Sequence, residues 1–402
     1  MTLISIVIPT HNRQAYAAVA ARKIVDVLPS AQVIVSDTSP DDRLRGMLPG
    51  TVEYVRPDRP MDVVSHFEFA LTGVRGRYVM FLGDDDCIGP GLEAIAIWAD
   101  ANGVDAVFSY GTSFIANYFW PGVRSRFYGE GYASRLFVHP FTGTARRIDP
   151  VAALRATLRD FGRGLGTMPR VYHGLVSLAL IDKVRKRHGV LFGGVSPDIY
   201  SATLLSEQAE IVWQVDYPFC LPGGSPTSTA GTGAARSDRT SLAGHPHTAA
   251  FANLRWDAAI PAFYAPYIVW AYSLKKAVDR LCRPDLVPNL ARIYALALLR
   301  NRQQYRHVVQ ARASAISRSV RAGWPRIGWE MGRELMFQAK RYATRLASPG
   351  AGGTAERFSE LEDIAQAYDR LERYIADSEI MLDLPLLGEK PSLNHPIEKI
   401  LV

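Results

Sequence analysis

Five apolar residues run into three acids: Tyr78-Val79-Met80-Phe81-Leu82, then Gly83, then Asp84-Asp85-Asp86. The run is short and rich in residue types that suit a buried strand. A buried strand that ends in three carboxylates constrains what can surround it. Like charges a few ångströms apart repel, and burial raises the cost of keeping them ionised. A divalent cation relieves both problems, and hard cations such as Mg²⁺ or Mn²⁺ prefer oxygen ligands. The plain alternative is a solvated, Asp-rich turn, for which the nearby Gly89-Pro90-Gly91 is ordinary material.

The segments on either side repeat one pattern. Residues 3–8 read as a first buried strand, followed by Pro9-Thr10-His11-Asn12-Arg13 and an alanine-rich helix over 14–28. A second strand over 32–36 ends at Asp37, and a third covers 52–55. The spacing of Val63, Phe67, Ala70, Leu71 and Val74 predicts a helix over 63–74. After the acid-tipped strand come a helix over 92–101 and a strand over 106–110. Strands alternating with helices argue for an α/β layer around a mainly parallel sheet. Ligands of such sheets sit beyond the carboxyl ends of the strands. Those ends carry Thr10 to Arg13, Asp37 and Asp84 to Asp86, so polar groups from three strands converge on one edge. A solvated turn alone does not predict that.

Residues 114–147 are aromatic and glycine-rich, an irregular lobe or a hairpin insertion. A helix is expected over 150–161, a segment packing on the sheet over 171–185, and a strand over 211–217. Ser196-Pro197-Asp198-Ile199-Tyr200 leads into a helical run at 201–206, and Asp198 stands where a cap is expected. Residues 221–247 are loop-like. Their glycines and hydroxyls expose backbone N–H groups suited to phosphate, a composition that linkers share. Beyond residue 251 the pattern is helical, and Phe358, Leu361, Ile364, Tyr368, Leu371 and Ile375 recur at the spacing of one amphipathic helix.

The 402 residues leave room for two domains. Cys87, Cys220 and Cys282 offer neither a disulfide framework nor metal-ligand spacing, which favours a reducing compartment. The start lacks a basic leader and is interrupted by Pro9. Residues 258–274 are uncharged but carry Pro261 and Pro266, and read as core or interface rather than a membrane span. The net charge of +7 is concentrated: residues 300–345 hold eleven Lys and Arg against two acids, and the balance reverses after residue 356. Two helical faces that pair with each other explain this simply. The functional reading is a basic surface for anionic lipid headgroups or an anionic acceptor. The basic stretch has no nucleic-acid recognition motif, which argues against that class of partner.

Taken together, Ser5-Ile6-Val7-Ile8-Pro9-Thr10-His11-Asn12-Arg13, the strand-end Asp37, and the stretch from Gly76 to Asp86 resemble a family 2 glycosyltransferase of the GT-A fold. The likeness covers about residues 1–220 and is strongest in the first 110. It implies a GT-A α/β fold, with a mainly parallel sheet and flanking helices over residues 1–250 and a helical C-terminal region over 251–402. It implies that Pro9, Thr10, His11, Asn12 and Arg13 line the nucleotide, that Asp37 bonds the base, and that Arg59 reaches the ribose or diphosphate. The acids correspond to the family's Asp-x-Asp element. Ile88-Gly89-Pro90-Gly91-Leu92 suggests a register with Asp86 as metal ligand, Asp84 and Asp85 sharing the remaining roles and Asp84 also eligible for the metal. Asp198 resembles the family's general base, although the usual Glu-Asp pair is absent. His245 and His247 are candidates for a histidine offered to the metal, His247 foremost.

The chemistry follows from the residues as well. Breaking a sugar–diphosphate bond is easier when charge developing on the leaving phosphate is stabilised, as Mg²⁺ or Mn²⁺ would do. An acceptor hydroxyl needs its proton removed by a carboxylate across the sugar. One base and one displacement imply inversion. The resemblance thus implies a metal-dependent transfer from a nucleotide sugar, first a UDP-sugar, to a glycan or lipid-linked glycan, in bacterial surface polysaccharide synthesis. It also implies a cytoplasmic enzyme, at the inner membrane face if residues 300–345 touch lipid, with the C-terminal helices free to form a homo-oligomer. A sugar-nucleotide pyrophosphorylase would need glycines that Pro9 to Arg13 lack. A non-enzymatic sugar- or lipid-binding module with a structural cation site is the other alternative.

Overall fold

The computed structural model describes residues 2–109, 114–125, 127–228, 241–251, 253–317, 323–347 and 350–385. Strands β1 (Ile4–Thr10), β2 (Gln32–Asp37), β3 (Glu53–Val55) and β4 (Tyr78–Phe81) form the parallel half of the central sheet. β1, β2 and β4 are buried on both faces, hence their nearly unbroken apolar sequences. Side chains alternate strictly: Val7, Val79 and Phe81 face one core, and Ile6, Ile8, Met80 and Leu82 the other.

Beyond β5 (Cys87–Ile88), β6 (Ala106–Phe108), β7 (Ala116–Phe119), β8 (Arg135–Val138) and β9 (Ala145–Ile148) comes β10 (Gly174–Ser177). β10 inserts antiparallel between β4 and β6. With β11 (Val212–Val215) the sheet order is β3-β2-β1-β4-β10-β6-β11-β9. A ribbon pairs β5 with β12 (Cys220–Leu221). The segment at 114–147 is the hairpin insertion: β7 and β8 pair antiparallel in a second sheet, flanked by β13 (Gly223–Gly224) and β14 (Glu356–Phe358).

Helices α1 (Gln14–Val27) and α3 (Leu92–Ala101) cover one face of the sheet, and α2 (Val63–Ala70), α4 (Pro150–Arg159), α5 (Leu178–His188) and α6 (Pro197–Gln208) the other. Asp62 and Asp149 cap α2 and α4 by accepting two backbone N–H bonds each. After the single turn α7 (Pro246–Ala249), the C-terminal helices are α8 (Pro266–Leu281), α9 (Leu290–Arg300), α10 (Tyr305–Ser317), α11 (Trp324–Ala347) and α12 (Ile364–Ser378). α8 packs on α6, so the core on that side runs without a break from the sheet into the C-terminal helices. The uncharged stretch at 258–274 is core, as expected. Among the described residues no helix is long and apolar enough to cross a membrane.

This is the mainly parallel α/β sheet with flanking helices and a helical C-terminal region that the sequence implies. Three expectations need correction. Phe358 lies in β14 rather than on the last helix, because Glu360 takes a left-handed φ of 64° and Asp363 starts α12 afresh by capping Gln366. The segment 171–185 divides into β10 and α5 at the Ser177 cap. The acidic α12 is tied to α1 through Lys23 and Asp369, 2.5 Å apart, while in α11 Glu334 pairs with Arg292 and Arg300 of α9 and Glu330 with the helix's own Arg333.

Candidate active site

The parallel register sets Thr10 beside Asp37, and β4 ends at Phe81, next to the acid turn. All three acids are buried, and each is held differently. Asp84 accepts from the Thr10 hydroxyl at 2.7 Å and faces Arg13 Nη1 at 3.1 Å. Asp85 faces Arg13 Nη2 at 2.8 Å and accepts from the Ser225 backbone N–H at 2.9 Å. Arg13 also donates to the Ser225 hydroxyl. Asp86 is saturated: Gly223 N–H donates to Oδ1 at 2.7 Å, while Gly83 N–H at 2.6 Å, the Tyr172 hydroxyl at 3.2 Å and His173 Nε2 at 2.6 Å all meet Oδ2. A side chain at residue 83 would collide with this arrangement, since a Cβ there would lie 2.7 Å from both Asp86 Oδ2 and the Tyr172 hydroxyl.

The electrostatics follow the geometry. Burial, with Asp85 alongside, raises the Asp84 carboxyl to about 7 in spite of Arg13. Burial and the neighbouring Asp86 raise Asp85 too. Burial also works against Asp86, but His173 and the two backbone donors hold it below the usual carboxylate range. The turn therefore sets three buried carboxyls against the single guanidinium of Arg13, and burial disfavours the charged form of Asp84 and Asp85.

The rest of the edge divides clearly. Asp37 is buried, accepting from Ser39 N–H at 2.7 Å and the Tyr54 hydroxyl at 3.0 Å. Arg56 closes the same wall by donating to Ser39 O at 2.8 Å. Pro9 lies within β1, while the exposed His11 reaches Thr38 and Asn12 turns the chain at a φ of 57°. Arg59, expected at the ribose or diphosphate, stands exposed on the segment between β3 and α2, and Arg56 lies beside Asp37.

Asp198 is the second residue of α6, half-buried. The cap position is Ser196, which makes no side-chain cap bond, and Asp198 lies two residues further along. The expected capping by Asp198 is not found among the described residues. Burial raises the Asp198 pKa, opposed by the adjacent backbone N–H groups and by the nearby His247 and His173. Arg170, buried against the Phe108 ring and pulled down to about 10 by burial, feels Asp198 as its compensating charge. His247 bonds Val195 O at 2.6 Å, just ahead of α6, and His245 stacks on Tyr264 with centroids 3.3 Å apart. The histidines accordingly sit on the Asp198 side, with no contact to Asp86 among the described residues. Ser273 on α8 fixes this corner: its buried hydroxyl accepts from Val195 N–H at 3.0 Å and Ser196 N–H at 2.9 Å.

Residues 5–159 match the model of glycosyl transferase family 2. That stretch of the chain belongs to glycosyl transferase family 2. No curated protein matches the chain in sequence. Among solved structures it is similar to S. aureus TarS, at 15% identity and a TM-score of 0.38, over 56% of this chain and 37% of that one. It is also similar to TarS 1–349 in complex with UDP-GlcNAc, at 14% identity and a TM-score of 0.42, over 77% of this chain and 81% of that one. A third is the mannosyltransferase PcManGT from Pyrobaculum calidifontis in complex with GDP-Man and Mn²⁺, at 14% identity and a TM-score of 0.38, over 92% and 86%. This chain spans well under half of the longer TarS chain.

At this edge the sequence points to the acids, Asp37 and Asp198. It gives no sign of His173, Tyr172, Arg56, Arg170 or Ser273. His173 is held at a left-handed φ of 61° where the chain enters β10, and that strand enters the sheet out of sequence order. The loop expected to hold phosphate contributes Gly223 and Ser225 to the acids, and residues 229–240 lie outside the described residues.

Proposed function

We propose that this protein is a glycosyltransferase that moves a sugar from a nucleotide sugar, first a UDP-sugar, to a hydroxyl of a glycan or lipid-linked glycan, with inversion at the anomeric carbon. One observation carries the reading. Asp198, a half-buried carboxylate with a raised pKa, lies within electrostatic reach of His173, which is itself bonded to the acid turn. A base on one side and a pocket of buried carboxyls on the other make up the two halves of a displacement. A binding module gives Asp37 and Asp198 no common purpose.

Asp37 offers a buried acceptor to a base that presents an N–H, as uracil does, with Tyr54 and Arg56 forming the wall around it. Thr10 and Arg13 stand where the diphosphate would lie. The donor set suits a hard divalent cation, because Asp84 and Asp85 present oxygen ligands whose charged form burial disfavours and a bound cation would favour. Among the described residues no three metal-binding side chains converge. Mg²⁺ is ordinarily held by one or two carboxylates with substrate phosphates and water completing the shell. Asp84 and Asp85 would hold it, while both oxygens of Asp86 are engaged in fastening the turn to Gly223, Tyr172 and His173. A bound cation would supply charge neutralisation for the departing diphosphate. Asp198 takes the proton of the acceptor hydroxyl as its oxygen bonds to the anomeric carbon. The bond from that carbon to the phosphate oxygen breaks in the same step, and the nucleoside diphosphate leaves with the electron pair. Arg170, whose pKa burial lowers and Asp198 raises, adds positive charge that would favour the ionised carboxylate. On this reading residues 1–250 hold the donor and the base, and residues 251–402 shape the acceptor side in a cytoplasmic, surface-polysaccharide context.

A thermal-shift screen of UDP-, GDP-, dTDP- and CMP-sugars, each with Mn²⁺ or EDTA, tests the proposal. We expect a metal-dependent shift with one nucleotide class, lost in Asp85→Asn. Asp198→Asn should keep the shift and lose transfer by roughly 10²–10⁴-fold. If no nucleotide shifts the melt, the donor site is refuted. Binding without transfer to any glycan hydroxyl, and without hydrolysis, would establish the binding module instead.

A further inference from the structure

Helix α11 is built the wrong way round for a soluble surface. Its only two acids, Glu330 and Glu334, point inward and are 3% and 1% exposed. There they meet cations: the buried Arg292 Nη2 lies 2.9 Å from Glu334, the partly exposed Arg300 3.0 Å from the same carboxylate, and the exposed Arg333 reaches in to 2.8 Å from Glu330. Outward the helix presents Trp329 at 69% exposure, Met336 at 67%, Leu335 at 56% and Leu346 at 84%. Gly332, Leu335, Ala339, Ala343 and Leu346 recur three or four apart, so they share one face with Trp329 and Met336 at its margin. Arg326, Arg333 and Lys340 recur every seven residues beside that margin and are exposed.

We infer that the outer face of α11 docks on an anionic lipid surface, with the helix lying in the plane of the headgroups. An apolar face with Trp and Leu, edged by Lys and Arg, is the pattern of helices that lie in a membrane interface. Charge selects the occupant. The outer face has cations and no carboxylate, so it is complementary to anionic headgroups, each near cation adding to the attraction. A second copy of this chain fits poorly, because a two-fold contact would set the stripe of Arg326, Arg333 and Lys340 against itself. Inward placement of both acids removes from this face the groups that an anionic surface would repel.

The test is co-sedimentation of the full chain with vesicles, either phosphatidylcholine alone or phosphatidylcholine with phosphatidylglycerol, at low salt and at 0.5 M salt. No nucleotide is present, so the outcome is separate from that of the donor screen. We expect binding to the phosphatidylglycerol vesicles that falls with salt. The double variant Arg326→Glu/Lys340→Glu should weaken it at least tenfold, at roughly fivefold for each cation lost. Trp329→Ser/Met336→Ser should weaken it similarly, with an unchanged melting temperature and unchanged donor binding. Absence of binding to phosphatidylglycerol vesicles overturns the inference. So does binding that both double variants retain. A wild-type dimer by sedimentation that Trp329→Ser/Met336→Ser makes monomeric, without any vesicle binding, assigns the face to self-association instead.

Discussion

Arg13 is the cation against which Asp84 and Asp85 are balanced, and it reaches both with separate nitrogens. Replacing it with Met leaves buried carboxylates without their partner, at a cost of about 3 kcal/mol or more. Arg13→Met is therefore expected to melt lower than the wild type in EDTA and to recover part of the loss in Mn²⁺, as read by paired thermal melts. Arg170 sets a second residue-level expectation. Burial raises the Asp198 pKa, and a cation nearby lowers it, so removing that cation raises it further. In Arg170→Gln the acid limb of kcat/KM should move to higher pH, while Arg170→Lys should hold it near its original position. Steady-state profiles from pH 5 to 9 decide this. At this scale the sequence carries the identities of the acids but not their division of labour. Three adjacent aspartates look alike until a turn orients them, and Asp86 is claimed by the N–H of Gly223, 137 residues further along the chain. The expected metal role of Asp86 therefore passes, on our proposal, to its two neighbours. Arg56 and Arg59 likewise differ only in depth, which spacing does not reveal.

Among the elements, the contact of α8 with α6 matters most for chemistry. Ser273 accepts two buried backbone N–H bonds from the turn that delivers Asp198. Gly194, in that turn, has a φ of +66°, and a Cβ there would lie 2.6 Å from the Ser273 hydroxyl, so the fit leaves no slack. Ser273→Ala should cost about 1–3 kcal/mol by stranding buried donors. As a positioning residue, Ser273 should show its loss in kcat at saturating donor, with donor KM little changed. A merely structural role would lower the melting temperature and leave kcat per folded molecule intact, so melts and kinetics together distinguish the two. The elements that the sequence identifies well are those with strong local periodicity, such as α1 at Gln14–Val27 and α3 at Leu92–Ala101. The elements it obscures are held by distant partners. β10 is four residues long and draws its place from β4 and β6, and β14 draws its place from β8. Phe358 falls on the helical period of α12 and yet pairs in a strand, because the left-handed turn at Glu360 resets the phase.

At the scale of the molecule, the core on the α6 side crosses residue 250 without interruption, from Leu204 and Leu205 into Ile268, Tyr272 and Tyr294. A chain cut after residue 250 loses Ser273 together with the apolar cover of α6. We expect residues 1–250 alone to show no cooperative near-UV melt and no donor-dependent shift, whereas the full chain shows both. A cooperative melt for the fragment would make the N-terminal part an independent unit. The small sheet closes the molecule in the same long-range way. β8 lies between β7 and β14, and β14 comes from the far end of the described chain, where Thr144 is bridged to Asp383. In a chain growing on the ribosome, β8 is made early and its second neighbour late. With synthesis at about 5–20 residues per second, the gap of roughly 220 residues leaves that strand edge open for some 10–45 s. For that interval the nascent protein carries an unpaired template that another chain can join. Crowded polysomes, rather than the finished enzyme, are then where this molecule is most exposed to aggregation.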